Sequence, residues 1–240
     1  MINKHAKKDK NFVVARKELE KSLTKKTVFE YVDHFGLYAG EQTLGNKIFV
    51  YEMLKKTLGV PGHIVEFGCW NGSNLMYLAK VMNLLQPHNY KKVFGFDNFK
   101  GLPAPNQIDG DIAKKMEGKY EGDLEQLKKL ISFFEYNEYV KLVIGDATET
   151  IQTFAKENKD FLVSFAYIDF DLYEPCVAAL QFLESTLVTG GIILFDEALI
   201  PEWPGESLAL KEFLARNGRD YKLLSNNMSR QPTVGLKKVR

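Results

Sequence analysis

Phe161-Leu162-Val163-Ser164-Phe165-Ala166-Tyr167 runs straight into Ile168-Asp169-Phe170-Asp171-Leu172-Tyr173-Glu174-Pro175. Seven mostly apolar residues in a row suit a strand buried on both faces of a parallel sheet. Two aspartates, two positions apart, then follow. A strand alternates its faces, so Asp169 and Asp171 point the same way if the extended backbone persists that far. A buried carboxylate at a strand end costs several kcal/mol unless something pairs with it. The demand recurs at Gly191-Ile192-Ile193-Leu194-Phe195-Asp196-Glu197, another apolar run ending in acids. Parallel neighbours would bring the two ends to roughly 5 Å of one another. Neither segment holds a Lys, Arg or His, and a divalent cation would meet the need. Simpler readings stand beside this one: Asp171 as the N-cap of a helix opened by Pro175, and Asp196 as an exposed loop acid. Two acidic pairs on successive strands favour a site, because open α/β sheets bind ligands at the carboxyl ends of their strands.

Upstream, His63-Ile64-Val65-Glu66-Phe67 reads as a strand. Gly68-Cys69-Trp70-Asn71-Gly72-Ser73-Asn74 reads as a turn into a helix carrying Leu75, Leu78, Ala79, Met82 and Leu85 on one face. Ser73 or Asn74 is a candidate cap. Strand, glycine turn and helix open a nucleotide-binding α/β fold, but G-x-x-x-G is neither G-x-G-x-x-G nor a P-loop, against NAD and ATP. Glu66, just ahead of the turn, would repel a pyrophosphate and suits a ligand carrying a cation. Val93-Phe94-Gly95-Phe96-Asp97 places an acid where such folds accept from ribose hydroxyls. Val140 to Ile144 leads to Asp146, for which an adenine contact and a helix cap both stay open. Ala104 to Asp123 is an excursion suited to a lid. The alternation of strands and helices predicts a Rossmann-like, doubly wound, mostly parallel sheet. Short strands near Tyr221–Leu224 and Thr233–Leu236 close it as an antiparallel hairpin.

The chain has 240 residues, 45% of them hydrophobic, with a net charge of +1. That size supports a substantial core, and near-neutral charge lacks the basic signature of nucleic-acid binding. Cys69 and Cys176 fit no metal spacing and read as reduced packing residues. No apolar run reaches membrane-spanning length and the N-terminus lacks a signal-peptide core. The expectation is a cytoplasmic protein without stable membrane insertion. Residues 1–58 read as a Lys-rich arm, helical from about Val13, and a helical cover with Leu44, Ile48, Tyr51, Leu54 and Leu58 at helical spacing; 59–240 read as the α/β domain. His63 is a strand residue, and His5, His34 and His88 carry no role.

Taken together, the glycine turn, Asp97, Asp146 and the closing strand pair resemble class I S-adenosylmethionine-dependent methyltransferases, which implies a seven-stranded sheet. Gly95-Phe96-Asp97-Asn98-Phe99-Lys100-Gly101-Leu102-Pro103, the Asp169–Pro175 block, Phe195-Asp196-Glu197 and Trp203-Pro204-Gly205-Glu206 resemble, more narrowly, the macrocin O-methyltransferase (TylF/MycF/NovP-like) family. The resemblance runs from about Lys47 to about Phe213. It implies methyl transfer to a sugar hydroxyl, S-adenosylmethionine as donor, and Mg2+. It implies Asp169, Asp196 and Glu197 as metal ligands and Asp171 as the base. It places the donor against Glu66, Gly68, Asn71, Gly72, Ser73, Asp97, Asn98, Asp146 and Ala147. Glu197 stands where some members have Asp, which lengthens the reach of the third ligand. A homodimer also follows from the resemblance. Rival readings are a catechol-type enzyme acting on phenols, a nucleic-acid methyltransferase, and a non-catalytic binding module.

Overall fold

The computed structural model describes residues 6–87 and 89–240, with side chains from residue 11 onward. His5 and His88 lie outside the described residues. Seven strands form one sheet in the order β3-β2-β1-β4-β5-β7-β6. They are β1 (His63–Phe67), β2 (Val93–Asp97), β3 (Val140–Ile144), β4 (Val163–Ile168), β5 (Leu187–Phe195), β6 (Tyr221–Ser225) and β7 (Val234–Lys238). The first five are mutually parallel, and β7 inserts antiparallel between β5 and β6.

Both faces of the central strands are covered, which is why their sequences are apolar without alternation. Val65, Phe67, Ala166, Ile168, Ile193 and Phe195 pack against helices α8 (Ala147–Glu157), α9 (Tyr173–Thr186) and α10 (Pro204–Asn217). Their neighbours Ile64, Phe165, Tyr167, Ile192 and Leu194 pack against α4 (Glu41–Lys55), α5 (Ser73–Leu85) and α7 (Leu124–Phe133). The face α4 buries is Phe49, Val50, Met53 and Leu54, one step round from the stripe expected, and Ile48 is exposed. α1 (Ala6–Ser22) begins seven residues before the expected Val13. The Lys and Glu that make this arm polar are also good helix formers, as is Ala, so from residue 11 onward it is helical while burying little. α2 (Val28–Asp33) and α3 (Phe35–Tyr38) link it to α4.

The excursion after β2 is a packed wall. Ala113 of α6 (Gly110–Met116) is buried with Leu102, Leu172, Ile200 and Trp203 over the carboxyl ends of the strands. Among the described residues no helix is long and apolar enough to cross a membrane.

Two turns meet where the ligand end of the sheet begins. Gly68 has φ +88, and a Cβ there would run into the carbonyl oxygen of Asp169. Only glycine satisfies both demands. Gly68→Ala is expected to cost roughly 3 kcal/mol of stability from backbone strain plus overpacking, read from urea unfolding. A loss below about 1 kcal/mol would show that the two turns can part without penalty.

Candidate active site

The parallel pairing of β4 with β5 matches Ile168 with Phe195, so the acids that follow are neighbours. The Asp196 N–H donates to the Ile168 carbonyl at 2.9 Å, and the Asp169 N–H to the Phe67 carbonyl at 2.7 Å. Here the two acidic pairs converge as their strands demanded. Asp171 arrives differently. β4 ends at Ile168, and Asp171 sits at φ +62, so the extended backbone does not continue between the two aspartates. It does not cap the helix either: Leu172 holds the N-cap position, α9 starts at Tyr173, and Pro175 is its third residue. The Tyr173 N–H donates instead to Asp109 Oδ1 at 2.7 Å, while Asp109 Oδ2 accepts from the Asn106 N–H at 2.9 Å. Buried Asp109 of the excursion therefore fixes the turn that presents Asp171.

Asp196 is buried, not a loop acid. Its Oδ1 accepts from the Tyr167 hydroxyl and its Oδ2 from Gln231 Nε2 at 2.7 Å. The same Gln231 nitrogen donates to Glu197 Oε1, and Arg230 Nη2 stands 3.9 Å from that oxygen. Glu206 Oε1 accepts from the N–H groups of Glu197 and Ala198 at 3.1 and 3.0 Å, holding the turn that carries the acidic pair. Burial, and then the charges of Asp196 and Asp171, push the Glu197 carboxyl up to about 8. Burial and then Asp196 bring Asp171 to about 7. Asp169 is raised well above the carboxylate range by burial and by Asp196, Asp171, Glu206 and Glu197 around it. The side chains are crowded acids whose charges oppose one another. Yet among the described residues no three of His, Cys, Asp or Glu stand arranged as ligands of one ion.

The residues expected to meet the donor divide. Gly68, Asp97, Asn98, Asp146 and Ala147 line one cavity of about 630 Å³ together with Asp169, Asp171, Asp196 and Glu197. Asp97 Oδ2 accepts from the N–H groups of Cys69 and Trp70 at 2.6 and 2.8 Å, and Oδ1 from that of Phe99 at 2.6 Å. It thus ties the first glycine turn to the loop after β2. Asn98 bonds within that loop, to Gly101 and Lys100. Asp146 caps α8 through Thr148 N–H at 2.8 Å while also facing the cavity.

Glu66, Asn71, Gly72 and Ser73 are not in the lining. Gly72 is the N-cap of α5 without a side-chain cap, packed tightly against Leu127, so neither Ser73 nor Asn74 caps the helix. Asn71 Oδ1 accepts from the Asp123 N–H at 3.1 Å, and Ser73 is exposed. Asn74 links half-buried Lys47 to buried Glu66: Lys47 Nζ donates to its Oδ1 at 3.0 Å, and its Nδ2 donates to Glu66 Oε1 at 2.9 Å. Glu66 Oε2 has no hydrogen-bond partner.

Sequence reading left out Tyr167, Gln231, Arg230, Lys47 and Asp109. Only Tyr167, two residues before Asp169, stood in one of the motifs; the others lie in distant segments and give no local signal.

Residues 39–225 match the family model described as Macrocin-O-methyltransferase (TylF). A Streptomyces olivaceus protein, 8-demethyl-8-(2,3-dimethoxy-alpha-L-rhamnosyl)-tetracenomycin-C 4'-O-methyltransferase, is 26% identical over 150 residues, which span 59% of this chain and 55% of that relative. The matched region thus covers about half the length of the curated relative. The crystal structure of CalS11, a calicheamicin methyltransferase, superposes with a TM-score of 0.79 at 27% identity, covering 92% of this chain and 90% of that one. Its apo form, described as a TDP-rhamnose 3'-O-methyltransferase, gives 0.70 at 26%, covering 90% and 88%. The O-methyltransferase NovP shares the fold at 20% identity and a TM-score of 0.69, over 82% and 80% of the two chains.

Glu66 yields a pH test. Burial raises its carboxyl from 4.5 to about 8, against the opposing pull of Asn74 and Lys47. Between those values the folded protein holds a proton that the unfolded chain has lost, so Glu66 makes stability fall as pH rises from about 4.5 to about 8. Glu66→Gln should lessen that fall, by up to about 1.4 kcal/mol per pH unit, in urea unfolding across the range. An unchanged slope would mean the carboxyl is ionised in the fold.

Proposed function

The chain belongs to the macrocin O-methyltransferase (TylF) family, and from that premise we propose that it moves a methyl group from S-adenosylmethionine to a sugar hydroxyl. The observation that carries the reading is one shared cavity, lined both by Gly68, Asp97 and Asp146 and by Asp169, Asp171, Asp196 and Glu197. A donor at the first set and an acceptor at the second would share one enclosed space. CalS11 and the tetracenomycin enzyme are named for rhamnose-bearing acceptors, which supports a deoxy-sugar, free as a nucleotide sugar or attached to a larger metabolite.

In the proposed reaction the acceptor oxygen attacks the methyl carbon, the carbon–sulfur bond breaks, and the donor leaves as neutral S-adenosylhomocysteine. The hydroxyl proton passes to Asp171. An alcohol comparable with water, near pKa 16, lies about 9 units above a carboxyl at about 7, roughly 12 kcal/mol. Full deprotonation before attack is therefore too costly, and Asp171 takes the proton as the C–O bond forms. Tight placement supplies the rest: the Asp109 cap sets where the Asp171 turn sits, and the wall of the excursion keeps water from the sulfonium.

The donor chemistry of the acids suits a divalent cation. All the candidate donors are hard oxygens, they crowd where their charges repel, and Glu197 Oε2 is buried with no hydrogen-bond partner. We propose that Asp169, Asp196 and Glu197 hold Mg2+. Bound there, the ion would act as a Lewis acid on the acceptor hydroxyl.

Asp171→Asn should lower turnover by at least about 10²-fold while leaving S-adenosylhomocysteine affinity, by calorimetry, nearly intact. The assay follows S-adenosylhomocysteine formation with TDP-rhamnose and simple rhamnosides as acceptors. Turnover equal to wild type would remove Asp171 as the base. Excess EDTA should abolish turnover and Mg2+ should restore it; full activity in the chelator would eliminate the metal.

A further inference from the structure

The mouth of the cavity carries two large aromatic side chains that core packing does not require. Trp70 is 51% exposed and Tyr120 42% exposed, both line the cavity, and their rings meet edge to face with centroids 5.8 Å apart. Both also sit in the left-handed backbone region, at φ 47 and φ 63. Among the described residues, six non-glycine residues have positive φ, and Trp70, Tyr120 and Asp171 are the three that line the cavity. Strain of this kind persists only where the surroundings impose it, and it gathers at ligand sites.

The surroundings do impose it. Asp97 accepts from the Trp70 N–H at 2.8 Å, and Trp70 Nε1 donates to the Glu121 carbonyl at 3.2 Å. Gly122 lies so close beneath the Trp70 carbonyl that a side chain there would collide with it. The Asp123 N–H closes the same junction onto Asn71. The end of the excursion is thus fastened to the first glycine turn, and the ring pair is held ready before any ligand arrives. Tyr120 shares the cavity lining with Asp171, Glu197 and Asp169, and beyond burial their charges raise its pKa. It therefore shares its cavity with the groups proposed to meet the acceptor.

We infer that Tyr120, backed edge-on by Trp70, selects the acceptor: its ring takes the apolar C–H face of a pyranose, and its hydroxyl hydrogen-bonds an oxygen next to the one methylated. The inference rests on the sugar reading above. A deoxy-sugar suits such a corner, since the missing hydroxyl widens the apolar face offered to the ring. Aromatic stacking and one hydrogen bond together fix the orientation of a small polar ring, which electrostatics among the acids alone would not do.

The test uses Tyr120→Leu and Tyr120→Phe of the full chain, with TDP-rhamnose and methyl rhamnoside as probes. Both tryptophans of the chain, Trp70 and Trp203, line the cavity, so their emission reports acceptor binding in the presence of S-adenosylhomocysteine without turnover. Tyr120→Leu should raise the acceptor KM and the emission-derived Kd by roughly tenfold or more, and Tyr120→Phe by about threefold. S-adenosylhomocysteine affinity should stay within about twofold in both. An unchanged acceptor Kd in Tyr120→Leu, or an equal loss of affinity for S-adenosylhomocysteine, would overturn the inference while leaving the sugar reading in place. If wild type neither binds nor methylates any sugar tried, the sugar reading fails and this inference with it.

Discussion

The bond from the Asp196 N–H to the Ile168 carbonyl is the constraint from which the site follows. It keeps β4 and β5 paired to their last residues, so Asp169 and Asp196 leave the sheet side by side. Two carboxylates that far into a folded protein repel each other and have lost most of their water. Everything placed around them deals with that cost. Glu206, itself buried, secures the backbone of the acidic turn through two N–H groups. Asp109 does the same for the turn after Asp171. Backbone donors held by side-chain acceptors thus set the direction of each acid before any ligand is present.

The charge itself is met only in part. Tyr167 and Gln231 donate to Asp196, Gln231 donates to Glu197, and Arg230 approaches Glu197. Lys47 adds its field to Asp196 and Asp169 from α4, although burial lowers its own pKa. These groups do not offset the burial that, before any neighbouring charge, raises Asp169, Asp196 and Glu197. A region that favours incoming positive charge is the result. A sulfonium and a divalent cation are both ligands of that kind, whereas a pyrophosphate would be repelled by the acids that line the cavity.

Much of this was legible in the sequence because it is local. Apolar runs gave β1 to β5, the acids at their ends gave the ligand edge, and the doubly wound order followed from their alternation with helices. Local patterning failed where a residue is governed by a distant one. Asp171 looked like a strand position or a cap, but it has a left-handed backbone, and Asp109, more than sixty residues earlier, is what accepts from the first N–H of the helix. Asn74 looked like a helix cap and serves as a relay between Lys47 and Glu66. Tyr120 carried no signal in a polar excursion, since its interest arises only when Trp70 is brought against it. The residues proposed from resemblance as metal ligands line one cavity, but among the described residues no three acids stand arranged around one ion.

The closing strands bear on the chemistry more directly than their short lengths suggest. Because β7 runs antiparallel between β5 and β6, the connection between β6 and β7 returns to the carboxyl end of β5. Arg230 and Gln231 lie on that connection, within reach of Glu197 and Asp196. A parallel strand in that place would enter from the opposite edge and leave the acids without either donor. The same connection meets the N-terminal cover, where Asn46 Nδ2 donates to the Gln231 carbonyl at 3.2 Å. One residue further along α4, Lys47 acts on the acids from its own side. α4 and the β6–β7 connection therefore meet beside one pair of strand termini. A change in how α4 sits would be felt first at Gln231, and through it at Asp196 and Glu197.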